Sequence, residues 1–269
     1  MSVNVVGMMW NKNEGDILEE IISEAIKHVD LLYVADDGST DNSWEIIQRA
    51  ASLDSKIIIQ RDPCIRDPGQ RSSLLNKIKE RHNPLDTWVQ VIESDIMILD
   101  TDVREAIRDR AVGDIAVTWQ ALNAVRPVGT WEEVDLYPNW GMPVKDLMPL
   151  AHRMERMVYT FRPMPDLYYT HTWRPWPSGF SRYFKGVVDP DHRDTKTPLL
   201  AHYGFRGPTH FKLKYAKMGD KHRRYPSWDL RTKETILATV PMFNGDWNGK
   251  AYPMSREGWI NRKKNNYAE

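Results

Sequence analysis

Hydrophobic positions in the first 120 residues alternate between two periods. Val3 to Trp10 is a nearly continuous apolar run, as expected of a strand buried on both faces. Ile17, Leu18, Ile21, Ile22, Ala25, Ile26 and Val29 then recur at helical spacing and make one apolar face. Leu31 to Ala35 predicts a second strand and Lys56 to Gln60 a third. Between them Asp36-Asp37-Gly38-Ser39 reads as a turn. Asn42 with Glu45 three residues later predicts a capping box that opens a helix. A helix is expected over Gln70 to Arg81. A fourth strand, Trp88 to Ile92, stops at Glu93-Ser94-Asp95, and a fifth runs from Asp114 to Trp119. Strands alternating with helices of this length imply an α/β fold, with a mostly parallel sheet and helices on both faces. Ligands of such sheets bind at the carboxyl ends of the strands.

The pattern weakens after Gln120. From there to Pro198 the chain is rich in Pro, Trp, Tyr and Arg and predicts long loops and short elements laid over the sheet. Leu199 to Phe205 reads as a strand, Thr209 to Met218 as a basic helix, and the tail from Asn244 as polar and irregular. No repeat and no low-complexity tract interrupts the chain.

Composition narrows the class. At 269 residues and 41% hydrophobic content, the chain can bury a sizeable core. Lys plus Arg and Asp plus Glu balance at 37 each, so charge gives no general attraction to nucleic acid or a membrane surface. One cysteine, Cys64, excludes an intrachain disulfide and fits a reducing, cytoplasmic setting. The start lacks a basic region followed by a long apolar run, so no signal peptide is expected. No apolar stretch is long enough to span a bilayer, and no stable membrane association is expected. The 11 tryptophans, mostly after Thr118, suit either loop packing or platforms for sugar rings and bases.

Three polar clusters fall at predicted strand ends: Trp10-Asn11-Lys12-Asn13-Glu14, Asp36 to Asp41, and Glu93-Ser94-Asp95. In an extended segment Glu93 and Asp95 would point the same way. Two carboxylates together repel, and a divalent cation with oxygen ligands would offset this. The same spacing also suits a solvated turn of surface acids.

Val5 to Ile47, with its strand-ending Asp36-Asp37-Gly38-Ser39-Thr40-Asp41, resembles the amino-terminal half of family 2 glycosyltransferases, which have the GT-A (Rossmann-like) fold. Gln70-Arg71 opening a helix that leads into Trp88 to Asp95 follows the same layout, and Glu93-Ser94-Asp95 matches the family's Asp-x-Asp motif. Ala201 to Arg206, with Lys214 and Gly219 downstream, resembles a His-Tyr segment of some members. The likeness covers residues 3–120 and 199–219. It implies a nucleotide-sugar-binding half at 1–119, an acceptor-side region with a returning metal-site strand at 120–219, and a C-terminal extension at 220–269.

By position, the resemblance implies that Trp10, Asn11, Glu14, Asp36, Asp37, Arg71 and Glu93 hold the nucleotide. It implies that Asp95, Glu93 and His202 hold a metal. A carboxylate with an imidazole favours Mn2+ over Mg2+. The chain departs from the pattern in having Glu rather than Asp at 93, which shifts that carboxylate by about one bond length. The implied reaction is an inverting hexosyl or pentosyl transfer from a nucleoside-diphosphate sugar, of UDP type by default, to a hydroxyl. The metal, helped by Arg206 or Lys214, would offset charge on the leaving diphosphate. The base lies in the variable region, with Asp166, His171 and Asp189 as candidates and Glu132, Glu133 and Asp135 behind them. Trp173 and Trp176 are candidates for an acceptor platform. The acceptor is open among a glycan, a protein, a small molecule and a modified nucleic-acid base.

Rival readings differ in their loops. A nucleotidyltransferase needs a glycine-rich loop after the first strand, where this chain has Met8-Met9-Trp10-Asn11. A dinucleotide oxidoreductase needs G-x-G-x-x-G there, which is absent. A non-catalytic carbohydrate- or nucleic-acid-binding relative is the remaining alternative, with the basic Lys212 to Arg224 stretch as its footprint.

Overall fold

The first apolar run folds as strand β1 (Asn4–Asn11), buried from Val5 onward. In this computed structural model the described residues are 3–61, 67–108, 113–126, 139–169, 177–178, 187–188, 198–204, 206–207, 209–210 and 251–261. The chain divides into two compact units. The first comprises Met1–Ala121 and Glu155–Leu200, and the second Leu122–Met154 and Ala201–Glu269.

In the first unit, β1 lies between β2 (Leu31–Asp36) and β4 (Thr87–Glu93), and β3 (Ile57–Arg61) lies outside β2. All these pairs are parallel. Helix α1 (Leu18–His28) follows β1, α2 (Ser43–Leu53) follows β2, and α3 (Asp67–Arg81) follows β3. The helices divide between the two faces. A Cβ at Gly7 would lie 2.6 Å from Leu32 Cδ1 and 3.3 Å from Cγ1 of Val29, just past α1, so Gly7 faces α1. On the other face Trp10 meets Arg71 of α3, and the Tyr33 ring meets His82 just beyond α3. Burial on both sides explains why β1 is a run of apolar residues rather than an alternation.

Two local expectations need correction. Asn42 does not cap α2 through its side chain. A Cβ at Gly15 would lie 2.1 Å from Asn42 Oδ1, so the amide lies over Gly15 instead. Asp41 takes the capping task, its Oδ1 accepting the Ser43 N–H at 3.0 Å. Helix α3 begins at Asp67 rather than Gln70. Pro68 and Gly69 read as breakers, but a first turn has no intrahelical partner for its N–H groups, so proline fits there.

The larger correction concerns residues after Gln120. Strand β6 (Ala116–Val125) is buried along its length and runs beyond Trp119, and β7 (Leu150–Phe161) is a twelve-residue strand. His152, Arg153, Glu155 and Arg156 hide β7 in the sequence by breaking its alternation. Short strands β5 (Ile96–Ile98), β8 (Val187–Val188) and β9 (Leu199–His202) complete the order β3-β2-β1-β4-β7-β6-β9-β5, with β8 parallel to β6. The sheet is parallel from β3 to β4 and changes sense where β7 joins antiparallel, with Gln90 opposite Thr160. A buried polar chain marks that change. Trp119 Nε1 donates to Thr160 Oγ1 at 2.7 Å, and Thr160 Oγ1 donates to Gln90 Oε1 at 2.6 Å. Strand β9 ends at His202, short of the predicted Phe205, which lies outside the described residues.

In the second unit, strand β10 (Tyr252–Pro253) pairs antiparallel with Leu150–Ala151, and a helix at Arg256–Asn261 buries Trp259. The tail therefore contains ordered elements, which were too short to show a period. Of the predicted helix at 209–218, Thr209 and His210 are helical and the remainder lies outside the described residues. Among the described residues no helix is long and apolar enough to cross a membrane.

Candidate functional site

The parallel register aligns three strand ends. Trp10 sits beside Ala35 on one side and Glu93 on the other, and Asn11 sits beside Asp36, which sits beside Arg61. The polar clusters read from the sequence therefore share one edge of the first unit.

The loops after β1 and β2 are tied to each other residue by residue. Asn11 Nδ2 donates to Asp36 Oδ1 at 3.0 Å and to Ser39 Oγ at 3.1 Å. Ser39 Oγ also accepts the Asn13 N–H at 2.9 Å, and Asn13 Oδ1 accepts the Thr40 N–H at 2.7 Å. The Glu14 N–H donates to Ser43 Oγ and the Gly15 N–H to Asp41 Oδ2, both at 3.1 Å. Lys12 Nζ donates to the carbonyls of Asp37 and Gly38. Asn13 and Gly38 both adopt positive φ, at 55° and 61°. Gly and Asn tolerate this region best, which is the local reason for Asn13 and Gly38 in the two loops.

Asp36 and Asp37 have different surroundings. The Asp36 carboxylate is fully buried. It accepts from Asn11, from the Ser39 N–H at 2.9 Å and from the Ser39 hydroxyl, and Arg61 Nε lies 3.3 Å from its Oδ2. Arg61 also donates to the Ser39 carbonyl at 3.0 Å and lies over the Trp44 ring. The Asp37 side chain is 27% exposed, with Lys12 Nζ 3.9 Å away.

On the α3 face, the buried Arg71 guanidinium lies 3.8 Å from the Trp10 ring centroid, and its Nη2 is 3.9 Å from Glu93 Oε1. Tyr159 of β7 donates its hydroxyl to Glu93 Oε2 at 3.4 Å. The edge of Trp10 meets Tyr169 at 6.2 Å with a 69° interplanar angle. The structure thus brings Trp10, Arg71 and Glu93 together, and Asn11 with Asp36. Glu14 is buried in the tied loops.

The acidic triplet is not extended throughout. Strand β4 ends at Glu93, and Ser94 and the buried Asp95 turn into β5. Strand alternation therefore does not set the direction of the Asp95 carboxylate. Asp166 lies in a turn after β7. Lys79 of α3 donates to the flanking carbonyls of Pro165 and Leu167 at 3.0 and 2.9 Å. Burial lowers the Lys79 ammonium below its ordinary pKa, and Asp166 opposes that shift.

His202 belongs to the second unit. Its Nδ1 donates to Asn123 Oδ1 at 2.7 Å, which places the lone pair of a neutral ring on Nε2. A Cβ at Gly204 would lie 2.6 Å from that Nε2, so glycine makes room for the ring. Arg206 is fully buried and donates to the Tyr203 carbonyl at 2.8 Å. His171, Asp189, Trp173, Trp176, Glu132, Glu133, Asp135, Cys64, Lys214, Gly219 and the 212–224 stretch lie outside the described residues.

Sequence reasoning missed Arg61, Tyr159 and Tyr169. Arg61 had a usable signal, since it ends a parallel strand on the edge that carries the other polar clusters. The two tyrosines had none, because their strand and turn were unreadable.

Residues 8–103, which hold the tied loops, Arg71 and the acidic triplet, match the family model Glycosyl transferase family 2. No curated protein matches the chain. Among solved structures, the chain is similar to a mannosyltransferase from Pyrobaculum calidifontis in complex with GDP-Man and Mn2+. That similarity has 12% identity and a TM-score of 0.41, covering 98% of this chain and 74% of that one. It is similar to mannosyl-3-phosphoglycerate synthase from Rubrobacter xylanophilus at 13% identity and TM-score 0.31, covering 49% of this chain and 43% of that one. It is also similar to glucosyl-3-phosphoglycerate synthase from Mycobacterium tuberculosis at 18% identity and TM-score 0.29, covering 60% and 57%. The chain thus spans less than two thirds of the latter two proteins. Outside residues 8–103, β7 contributes Tyr159 and the following turn contributes Tyr169 to the same strand-end edge.

Proposed function

We propose that the protein transfers a sugar from a nucleoside-diphosphate sugar to a hydroxyl acceptor, with inversion at the anomeric carbon. The observation that carries this reading is the register of β2, β1 and β4, which sets Asp37, Trp10 with its Arg71 contact, and Glu93 at the same strand-end edge within residues 8–103.

Each group has a task suited to its surroundings. Asp37 is a partly exposed carboxylate at a loop tip, suited to accept hydrogen bonds from ribose hydroxyls or a base N–H. Arg71, seated over Trp10, offers a fork of donors to the nucleotide. Asp36 is occupied by Asn11, Ser39 and Arg61, so it serves the donor by holding the loop that presents Asp37. Glu93, contacted by Arg71 and Tyr159, is held in one place for a ribose hydroxyl or for an ion.

The family layout read from the sequence also implies a divalent cation. Asp95 supplies a hard oxygen ligand, and His202 supplies an imidazole whose orientation is set by Asn123 and whose space is kept by Gly204. We assign Asp95, with Glu93 beside it in sequence, and His202 as ligands, and manganese as the ion. When bound, the cation supplies positive charge to the diphosphate as it leaves. In the transfer, the acceptor oxygen bonds to the anomeric carbon, the bond from that carbon to the diphosphate oxygen breaks, and the hydroxyl proton passes to a base. Asp166 is the base candidate among the described residues. The acceptor platform proposed at Trp173 and Trp176 rests on the sequence.

The test is diphosphate release from a panel of UDP, GDP, ADP and CDP sugars with manganese, repeated in chelator. One donor class should release diphosphate only with metal. Binding of nucleoside diphosphate without release from any sugar would favour a non-catalytic binder, and neither binding nor release would remove the donor site altogether.

A further inference from the structure

We propose that Tyr169 is a positioning residue for Arg71, and that Ser72 and Lys79 of α3 hold it in that role. The inference rests on the reading that Arg71 faces the nucleotide.

The Arg71 guanidinium is buried, yet its carboxylate neighbour Glu93 stands 3.9 Å away, too far for a short charge-assisted hydrogen bond. Its guanidinium carbon lies 3.8 Å from the centroid of the Trp10 ring. A guanidinium seated over an indole is steadied by the tilt of that ring. Trp10 is the penultimate residue of β1, so its backbone is held by pairing on both sides, but its ring needs a lateral support. Tyr169 provides one, meeting Trp10 edge to face at 6.2 Å.

Tyr169 stands beyond the end of β7. The neighbouring backbone pairing is a single antiparallel bridge between Tyr168 and Ser178. Side chains of α3 fasten this segment. Lys79 Nζ holds the carbonyls of Pro165 and Leu167, and Ser72 Oγ lies 3.3 Å from both the N–H and the carbonyl oxygen of Tyr169. Ser72 and Lys79 are seven residues apart and share a helix face. Leu167 between them is fully buried. Ser72 is also the residue after Arg71. The contacts therefore close a ring: α3 carries Arg71, Arg71 lies on Trp10, Trp10 meets Tyr169, and Tyr169 returns to α3 through Ser72. Such a ring restrains the guanidinium relative to the helix that bears it.

The experiment is a double-variant cycle on the full chain, read by calorimetry with UDP and with GDP, each with manganese. Tyr169→Ala should weaken binding of the nucleotide that wild type binds by about tenfold, while Tyr169→Phe, which keeps the ring edge, stays near wild type. Ser72→Ala and Lys79→Met should shift affinity in the same direction by less. Because Tyr169 acts through Arg71, Tyr169→Ala added to Arg71→Ala should weaken binding no further. In turnover, Tyr169→Ala should raise KM for the donor and leave kcat nearly unchanged. If Tyr169→Ala fails to fold, Tyr169→Leu keeps the apolar volume and carries the same comparison. Additive losses, or equal losses in the Ala and Phe variants, overturn the proposal. An Arg71→Ala variant with unchanged affinity instead overturns the placement of the nucleotide, and the inference falls with it.

Discussion

The Asn11 side-chain amide donates to the fully buried carboxylate of Asp36 at 3.0 Å, joining the loop after β1 to the loop after β2. The same carboxylate holds Ser39 and Arg61, so its loss would leave several buried donors without an acceptor. Asp36→Ala should therefore cost about 3 kcal/mol in urea unfolding. Asp37→Ala, at a partly exposed position, should leave stability within about 0.5 kcal/mol of wild type and weaken nucleoside-diphosphate binding about tenfold, or roughly 1.4 kcal/mol. Equal stability effects from the two substitutions would contradict this division.

Thr160 links Gln90 and Trp119 at the place where the sheet changes sense. Thr160→Val keeps the shape of the side chain but leaves the buried indole N–H and the amide oxygen unpaired. The expected loss is about 2 kcal/mol in denaturant midpoint analysis. A neutral result would mean that these groups find other partners.

Acid should weaken the fold through His82. Burial lowers the His82 pKa from the ordinary 6.5, Arg81 adds to the shift and Asp86 opposes it, while the ring Nε2 shares a hydrogen bond with the Tyr33 hydroxyl at 3.1 Å. The folded state therefore binds fewer protons than the unfolded chain. Stability is fully present above pH 6.5, declines as pH falls below it, and levels off below the depressed folded value. Glu24 acts in a different window. Burial raises its pKa, but hydrogen bonds and charge from Lys27 and His28 outweigh that and lower it, so its contribution is lost only below about 4.5. Unfolding free energies measured between pH 5 and 8 should slope less in His82→Gln than in wild type. Identical slopes would remove His82 as the source.

Turnover should depend on manganese and stop in chelator. Asp95→Ala should lose at least about a thousandfold, His202→Ala a large part, and Glu93→Asp should retain some activity. Asn123→Ala should weaken manganese affinity about tenfold with nucleotide present, because Asn123 sets the His202 ring. Full activity in chelator would show that these residues hold no catalytic ion.

The alternation of β1 to β4 with α1 to α3 was legible in the chain, as was the placing of Trp10, Asn11, Asp36, Glu93 and Asp95 at or just past strand ends. Those are local properties. Hydrophobic period reports burial within one element, and Asn13 and Gly38 mark their turns through their own backbone freedom. Strand β7 was unreadable for a related reason, since its charged residues interrupt the period while its pairing with β4 depends on distant backbone. Three-dimensional packing alone separates Asp36, buried under Arg61, Asn11 and Ser39, from the partly exposed Asp37, although the two are neighbours of the same type. It also decided that Tyr169 reaches Trp10 and is tied to Ser72, 97 positions away. Such contacts follow from strand register and from which helix covers which face, and no window of sequence contains both partners.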